Sequence, residues 1–72
     1  MTALYLRIRP MPGLGKRLRE ARLAHGWSQA ELARRVGITP QAIQVIERGK
    51  VEKPQNLTKL ADELGVNPNY LL

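Results

Sequence analysis

The chain has 72 residues, no cysteine, and 12 basic against 6 acidic side chains, a formal net charge of +6. This length allows one small domain with a modest core. The lack of cysteine excludes a disulfide framework, a thiolate metal site and a cysteine nucleophile, and it suits a reducing cytoplasm. No apolar run is long enough to cross a bilayer and no signal-peptide pattern is present, so the sequence predicts a cytoplasmic protein without a membrane partner.

The charge is unevenly distributed along the chain. Residues 1–53 carry 11 basic and 4 acidic side chains (net +7), whereas residues 54–72 carry one basic and two acidic side chains (net −1). A basic part followed by a nearly neutral part is typical of a protein that binds a polyanion on one side.

Residues 1–12 form a separate N-terminal arm in this interpretation. In this arm, the apolar residues Leu4, Leu6 and Ile8 occupy every second position, which is the periodicity of a β-strand. Pro10 and Pro12 end any regular element. A strand needs a partner, and the rest of the chain offers none, so the same segment of another subunit is the candidate. Two alternatives remain open: a disordered basic arm that contacts phosphates, or a natural start at Met11.

The first helix is expected from about Gly13 to His25, with Gly26 as its terminator. The run from Gly13 to Lys16 lacks the spacing and the preceding strand of a phosphate-binding loop, so we interpret it as structural. Leu23 lies on the opposite side from the core and should be exposed unless the arm covers it. One face of this helix carries Leu14, Leu18, Ala21, Arg22 and His25.

Residues 28–49 predict two short helices joined by a tight turn. Ser28 and Glu31 have the spacing of a capping box, and Gly37 suits the left-handed conformation that ends a helix. Thr39 can cap the second helix, and proline fits the first position after it because no N–H is needed there. Gly49 ends the second helix. This arrangement is the helix-turn-helix unit.

The second of these helices has two distinct faces. At 100° per residue, Ile43, Ile46 and Glu47 lie on one side of it. The other side carries Gln41, Gln44, Val45 and Arg48. Amides pair well with adenine in a major groove and an aliphatic group can contact a thymine methyl, so this face suits base edges. The alternative is an ordinary solvated face.

Two further helices complete the pattern, which makes the predicted fold all-α with five helices. Residues 57–64 show helical apolar spacing and are followed by Gly65. Asn67 can then cap a last short helix from Pro68 to Leu72.

The runs SQAELARRVGITPQAIQVIERGK and KPQNLTKLADELGVNPNYLL resemble the DNA-binding domain of lambdoid phage repressors and Cro proteins, the Xre-type helix-turn-helix family. The resemblance covers roughly residues 14–72. It implies a compact lambda-repressor-like domain over residues 13–72 that binds double-stranded DNA in the bacterial cytoplasm, encoded by a bacterium or a phage. The expected function is transcriptional regulation, as a repressor that binds a palindromic operator as a homodimer.

The resemblance also assigns site residues to this sequence. Base contacts are expected from Thr39, Gln41, Gln44 and Val45. Phosphate contacts are expected from Ser28, Gln29, Arg48, Lys50 and Lys53. The dimer interface is expected at Pro68, Asn69, Tyr70 and Leu72. Pro40 and Gln55 depart from the family pattern, and each replaces a side chain that contacts DNA in some relatives.

Arg22 and Glu47 each lie on an apolar side of their helix. An unpaired buried charge is costly, so the two should meet, and family members pair an arginine with a glutamate at these positions. We expect this ion pair to fix the first helix against the reading helix.

Other functions are possible for a protein with this sequence pattern. An antitoxin or restriction controller of the same fold would also bind a protein partner, and a pure protein adaptor would show an apolar patch in place of Gln41 and Gln44. The sequence shows no catalytic set and no metal cluster, so we expect neither an enzyme nor a cofactor, metal or small-molecule ligand. Many repressors continue into a second domain, and the sequence does not decide whether this one does.

Overall fold

The computed structural model describes residues 13–72, which form five helices and no strand. They are α1 (Gly13–Ala24), α2 (Gln29–Val36), α3 (Pro40–Glu47), α4 (Leu57–Leu64) and α5 (Pro68–Leu71). The predicted all-α, five-helix architecture is therefore confirmed. The hypotheses about the N-terminal arm, namely a paired strand, a disordered basic arm or a natural start at Met11, lie outside the described residues.

Helices α2 and α3 begin where a side chain accepts one of the first N–H groups. Ser28 Oγ accepts from the Glu31 N–H at 3.0 Å and Thr39 Oγ1 from the Ala42 N–H at 3.1 Å. The predicted capping box is only half formed, however. The Glu31 carboxylate accepts from the guanidinium groups of Arg34 and Arg35, at 2.6 and 2.7 Å, and not from the backbone of Ser28. Two nearby cations outcompete a neutral N–H for the carboxylate.

The turn between α2 and α3 depends on one glycine. Gly37 has a φ of +84°, and its N–H donates to the carbonyl of Ala33. Glycine adopts this left-handed conformation at little cost, whereas a residue with a side chain would be strained, so Gly37 allows the chain to turn here. The turn places α3 across α2, so the two helices form the predicted helix-turn-helix.

Helix boundaries differ from prediction by one residue in two places. Helix α1 ends at Ala24, before His25, and α5 ends at Leu71, before Leu72. At the end of α1, the N–H of Trp27 donates to the carbonyl of Arg22 at 3.2 Å, and this hydrogen bond ends the helix before His25. The His25 ring then lies with Nε2 2.8 Å from the carbonyl oxygen of Leu64, at the last turn of α4.

All five helices contribute residues to one apolar core, and these residues are almost completely buried. They are Leu14, Leu18, Leu32, Ala33, Val36, Ile43, Ile46, Leu57, Leu60, Ala61, Leu64 and Leu71. Leu71 anchors the short helix α5, which could not stay folded by itself. Leu23 is 53% exposed, as its position opposite the core predicts. Within residues 13–72, no helix is both long enough and apolar enough to span a membrane.

Helix α1 makes a backbone-to-backbone contact with the end of α3 at Gly15. A Cβ atom built on Gly15 would lie 2.7 Å from the carbonyl oxygens of both Ile46 and Glu47. Gly15 is therefore a structural residue, because its missing side chain allows the close approach of these two helices.

Candidate nucleic-acid interface

The outer face of α3 carries the side chains that the sequence placed there. Gln41, Gln44, Val45 and Arg48 are all exposed, whereas Ile43 and Ile46 face the core. Val45 keeps 41% of its surface in solvent although it is aliphatic. Thr39 is also exposed, and its hydroxyl oxygen serves as the cap of α3. The first turn of α3 is thus rigidly held at the surface.

The buried side of α3 is attached to α1 by an ion pair. Arg22 Nε donates to Glu47 Oε2 at 2.7 Å and Arg22 Nη2 to Oε1 at 3.0 Å, so the pair is bidentate. The two side chains are only 9% and 6% exposed. Hydrogen bonding to the Glu47 carboxylate raises the pKa of Arg22, against the opposing effect of burial. Arg22 therefore stays charged and leaves no uncompensated carboxylate in the interior.

A third residue joins this pair from α2. Gln29 Nε2 donates to Glu47 Oε1 at 3.1 Å, and Arg22 Nη1 donates to the carbonyl of Trp27 at 2.8 Å. Glu47 consequently ties α1, α2 and α3 together. The sequence suggested the pair but not the role of Gln29, which it assigned to phosphate alone. Only the amide nitrogen of Gln29 is used by Glu47, so its carbonyl oxygen and backbone N–H remain outside the network.

A polar recess lies on one side of α3. It has a volume of about 270 Å³ and is lined by Arg19, Arg22, Gln29, Gln44, Glu47 and Arg48. We call this side the polar flank. It brings together residues of α1, α2 and α3, and it includes Arg19, which the sequence did not identify. Arg19 precedes Arg22 by three residues, so the two share one side of α1, a signal that could have found it.

An apolar groove lies on the other side of α3. It has a volume of about 320 Å³. We call this side the apolar flank, defined by Ile38, Ala42, Val45, Val51 and Pro54, with Gln55 and Asn56 at its edge. The sequence assigned a methyl contact to Val45 but gave no sign that the loop after α3 would extend that surface.

Cations surround both flanks. Arg48, Lys50 and Lys53 are exposed in or near the loop after α3, and Arg19 is exposed on α1. Among the described residues, none of these four lies within 4.0 Å of an acidic oxygen. Basic side chains without acidic partners are suited to binding phosphate.

The basic residues of α2 are arranged differently. Both Arg34 and Arg35 bind the Glu31 carboxylate, and the hydrogen bond from Arg34 lowers the pKa of Glu31. The Arg35 guanidinium also lies 4.2 Å from the centre of the Trp27 ring. The two arginines are therefore engaged on α2 itself and do not join the polar flank.

The remaining predicted site residues lie away from α3. Ser28 is exposed and caps α2, next to Gln29. In α5, Asn69 is exposed, Tyr70 is 49% exposed and Pro68 is half-buried, and Leu72, directly after the helix, is 48% exposed. Within residues 13–72, no group of three histidine, aspartate or glutamate side chains is placed to hold a metal ion.

The sequence and the fold match known proteins over most of the chain. A helix-turn-helix family model matches residues 18–71. The SPbeta prophage-derived uncharacterized HTH-type transcriptional regulator YonR of Bacillus subtilis is 42% identical over 59 residues, which cover 81% of this chain and 55% of YonR. The chain thus spans about half the length of this relative.

Two solved structures have the same fold. The P22 c2 repressor, crystallised with a synthetic operator, superposes with a TM-score of 0.77 and 37% identity, covering 82% of this chain and 91% of the repressor. The restriction-modification controller protein C.AhdI from Aeromonas hydrophila gives a TM-score of 0.74 and 38% identity, covering 82% and 87% of the two chains. The chain belongs to the helix-turn-helix family of DNA-binding transcriptional regulators that includes the lambdoid phage repressors, a family of regulators rather than enzymes.

Proposed function

We propose that this protein is a sequence-specific regulator of transcription that binds double-stranded DNA with α3 in the major groove. The observation that carries the proposal is the outer face of α3. Two exposed amides and one exposed aliphatic side chain project from a helix that is fixed from behind by a buried ion pair and bordered by cations. Such a face offers hydrogen bonds and methyl contacts to base edges.

The residues divide into those that read bases and those that bind the backbone. Thr39, Gln41 and Gln44 read base edges, with Val45 in contact with a thymine methyl. The phosphate-binding set is Ser28, Gln29, Arg48, Lys50 and Lys53, to which the polar flank adds Arg19. The unbonded N–H groups at the start of α2 favour an anion there, because the helix dipole adds to them. Phosphate contacts fix the register on the duplex without reading sequence.

We further propose that the protein acts as a homodimer on a palindromic operator and represses transcription in the bacterial cytoplasm. Tyr70 on α5 and Leu72 directly after it support this because both are large hydrophobic side chains that are about half exposed. Together with Pro68 and Asn69 they form the proposed dimer interface. The P22 c2 repressor was crystallised with an operator, which supports the operator-binding role. The proposal requires no cofactor.

Selection of bound duplexes from a random DNA pool tests the function directly. We expect enriched sites with two inverted half-sites whose centres are separated by about 10–10.5 base pairs or a multiple of that distance. Enriched sites without inverted symmetry would reject the homodimer. A pool that shows no enrichment at all, with folded protein, would contradict sequence-specific binding.

A second candidate is a restriction controller that uses the same fold. The similarity to C.AhdI, at 38% identity, favours it. This role keeps the DNA-binding face, changes the regulated gene and adds a protein partner. Selected sites that map upstream of a restriction-modification gene pair would support the controller, whereas sites that map upstream of phage-type genes would support the repressor. An antitoxin would in addition copurify with a toxin from its native host.

A further inference from the structure

The contact between α1 and the end of α3 is closer than side chains normally allow. Gly15 is buried, and a Cβ on it would meet the carbonyl oxygens of Ile46 and Glu47 at 2.7 Å and the Glu47 carbonyl carbon at 3.0 Å. All three are backbone atoms, which cannot rotate away as the tip of a side chain can. Ordinary van der Waals contact begins near 3.4 Å. A methyl group at this position would therefore push the two helices apart by about 0.3–0.7 Å, which is what raises a 2.7 Å contact to between 3.0 and 3.4 Å.

The same two helices are drawn together two turns further along α1. Arg22 lies seven residues after Gly15 and binds the side chain of Glu47, whose carbonyl faces Gly15. The ion pair pulls the last turn of α3 towards α1, and the backbone contact at Gly15 limits how close it comes. Together these two contacts fix the position of α3 relative to the helix behind it.

We propose that Gly15 is a positioning residue for sequence reading: its missing side chain sets the depth at which α3 presents its outer face. The inference rests on the proposed DNA-binding function. Binding groups must be held within about 0.5 Å of their productive geometry to work well, and the displacement of about 0.3–0.7 Å expected from a methyl group is as large as this tolerance. Direct contacts from Gln41 and Gln44 to base edges are short and directional, so they are lost first.

Phosphate contacts respond differently to the same displacement. Lys50 and Lys53 lie in the exposed loop after α3, and their long flexible side chains can follow a phosphate over such a distance. Substitution of Gly15 should therefore lower the preference for the selected site while leaving binding to random DNA nearly intact. A residue that matters only for folding would lower both in the same proportion.

The chain offers a matched control two residues earlier. Among residues 13–72, the nearest atoms to a Cβ on Gly13 belong to the guanidinium of Arg17, which is the far end of a flexible side chain and can move away. Gly15→Ala and Gly13→Ala both replace a glycine in the first turn of α1 with alanine, so their effects on helix propensity are similar. Leu60→Val, at a fully buried position of α4, serves as a second control that lowers stability away from α3.

The experiment measures affinity for the selected duplex and for a scrambled duplex by fluorescence anisotropy, at 10 °C and with the folded fraction determined by circular dichroism. Gly15→Ala should reduce the ratio of the two affinities by about tenfold, roughly the value of one good base contact. Gly13→Ala and Leu60→Val should keep the wild-type ratio.

Three results would overturn the inference, and a fourth would reject the proposed function. A wild-type ratio in folded Gly15→Ala would overturn the inference, and so would an equal fall in the ratio for Leu60→Val. Failure of Gly15→Ala to fold at 10 °C would also overturn it, because the glycine would then be required for folding and not for placing α3. A wild-type protein that prefers no duplex would instead reject the proposed function, before any variant is compared.

Discussion

The polar flank and the apolar flank differ in chemistry although both border the same helix of eight residues, α3. The polar flank joins α3 to α1 and α2 through charged and amide side chains, with Arg19 and Arg48 at its opening. The apolar flank joins α3 to the loop that follows it, through Val45, Val51 and Pro54. In the proposed complex, α3 would be held to DNA by different forces on its two sides.

The difference separates two functions that are often assigned together to a recognition helix. Charge attraction to phosphate acts on any duplex and weakens with salt, so the polar flank would provide affinity and position. Contact between methyl groups depends on shape and hardly on salt, so the apolar flank would provide discrimination. Gln41 lies on the outer face between the two flanks, where α3 is nearest to the bases in the proposed complex.

Salt should have the largest effect and should act through the polar flank. A dimer that neutralises 6–10 phosphates loses about 10³–10⁵ in affinity between 50 and 200 mM salt. Arg48→Ala, on the polar flank, should lower the slope of log affinity against log salt by about 1 per bound copy, whereas Val45→Ala should leave the slope unchanged. Anisotropy titrations at four salt concentrations measure both. A flat salt response of the wild-type protein would remove the basis for DNA binding.

The buried pair behind α3 should have the next largest effect, on stability. Arg22→Met strands the Glu47 carboxylate at a site only 6% exposed, and should lower the free energy of unfolding by about 3–5 kcal/mol. The double variant Arg22→Met/Glu47→Leu should recover much of this loss, because no buried charge remains. Urea denaturation followed by circular dichroism provides the values.

The control for this prediction is an exposed ion pair in the same protein. Arg34 binds Glu31 with 71% of its side chain in solvent, so Arg34→Met should cost only about 0–1 kcal/mol. Equal losses for Arg22→Met and Arg34→Met would mean that Glu47 is hydrated in solution and that the buried network does not anchor α3.

A third prediction distinguishes reading from positioning on the outer face. Gln41→Ala should cost about 1–3 kcal/mol on the selected site and relax the preference at one base pair of each half-site. Arg48→Ala should weaken binding to selected and scrambled duplexes by similar factors, because a phosphate contact carries no sequence information. Repeating the site selection with each variant checks this. An unchanged site preference for Gln41→Ala would show that α3 is not the reading element.

The smallest expected effect concerns the apolar flank and single methyl groups. Replacing one thymine of the half-site with deoxyuracil removes one methyl, worth about 0.8 kcal/mol when buried. At the thymine that contacts Val45, this loss should appear for the wild-type protein and vanish for Val45→Ala, since the partner of the methyl is then gone. The difference should be the same at 50 and 200 mM salt. A uracil effect that persists in Val45→Ala at every thymine would exclude the apolar flank as a methyl-binding surface.

Much of this molecule follows from local sequence. Ser28 and Thr39 mark helix starts, Gly37 marks the turn, and the outer face of α3 follows from its helical spacing, because capping and periodicity involve residues within a few positions of one another. The meeting of Arg22 and Glu47 also followed from the sequence, for a different reason. Burying either charge alone would cost free energy, so two opposite charges on apolar faces are expected to form a pair.

Tertiary structure alone decided what depends on distances between helices. Gly15 has an ordinary helical position in the sequence, and its importance follows only from the 2.7 Å approach to the end of α3. Gln29 became a partner of Glu47, 18 positions away, and the apolar flank was assembled from residues of the turn, α3 and the following loop. Helical periodicity determines which way a side chain points within its own helix, but the distance between two packed helices is set by all the side chains between them.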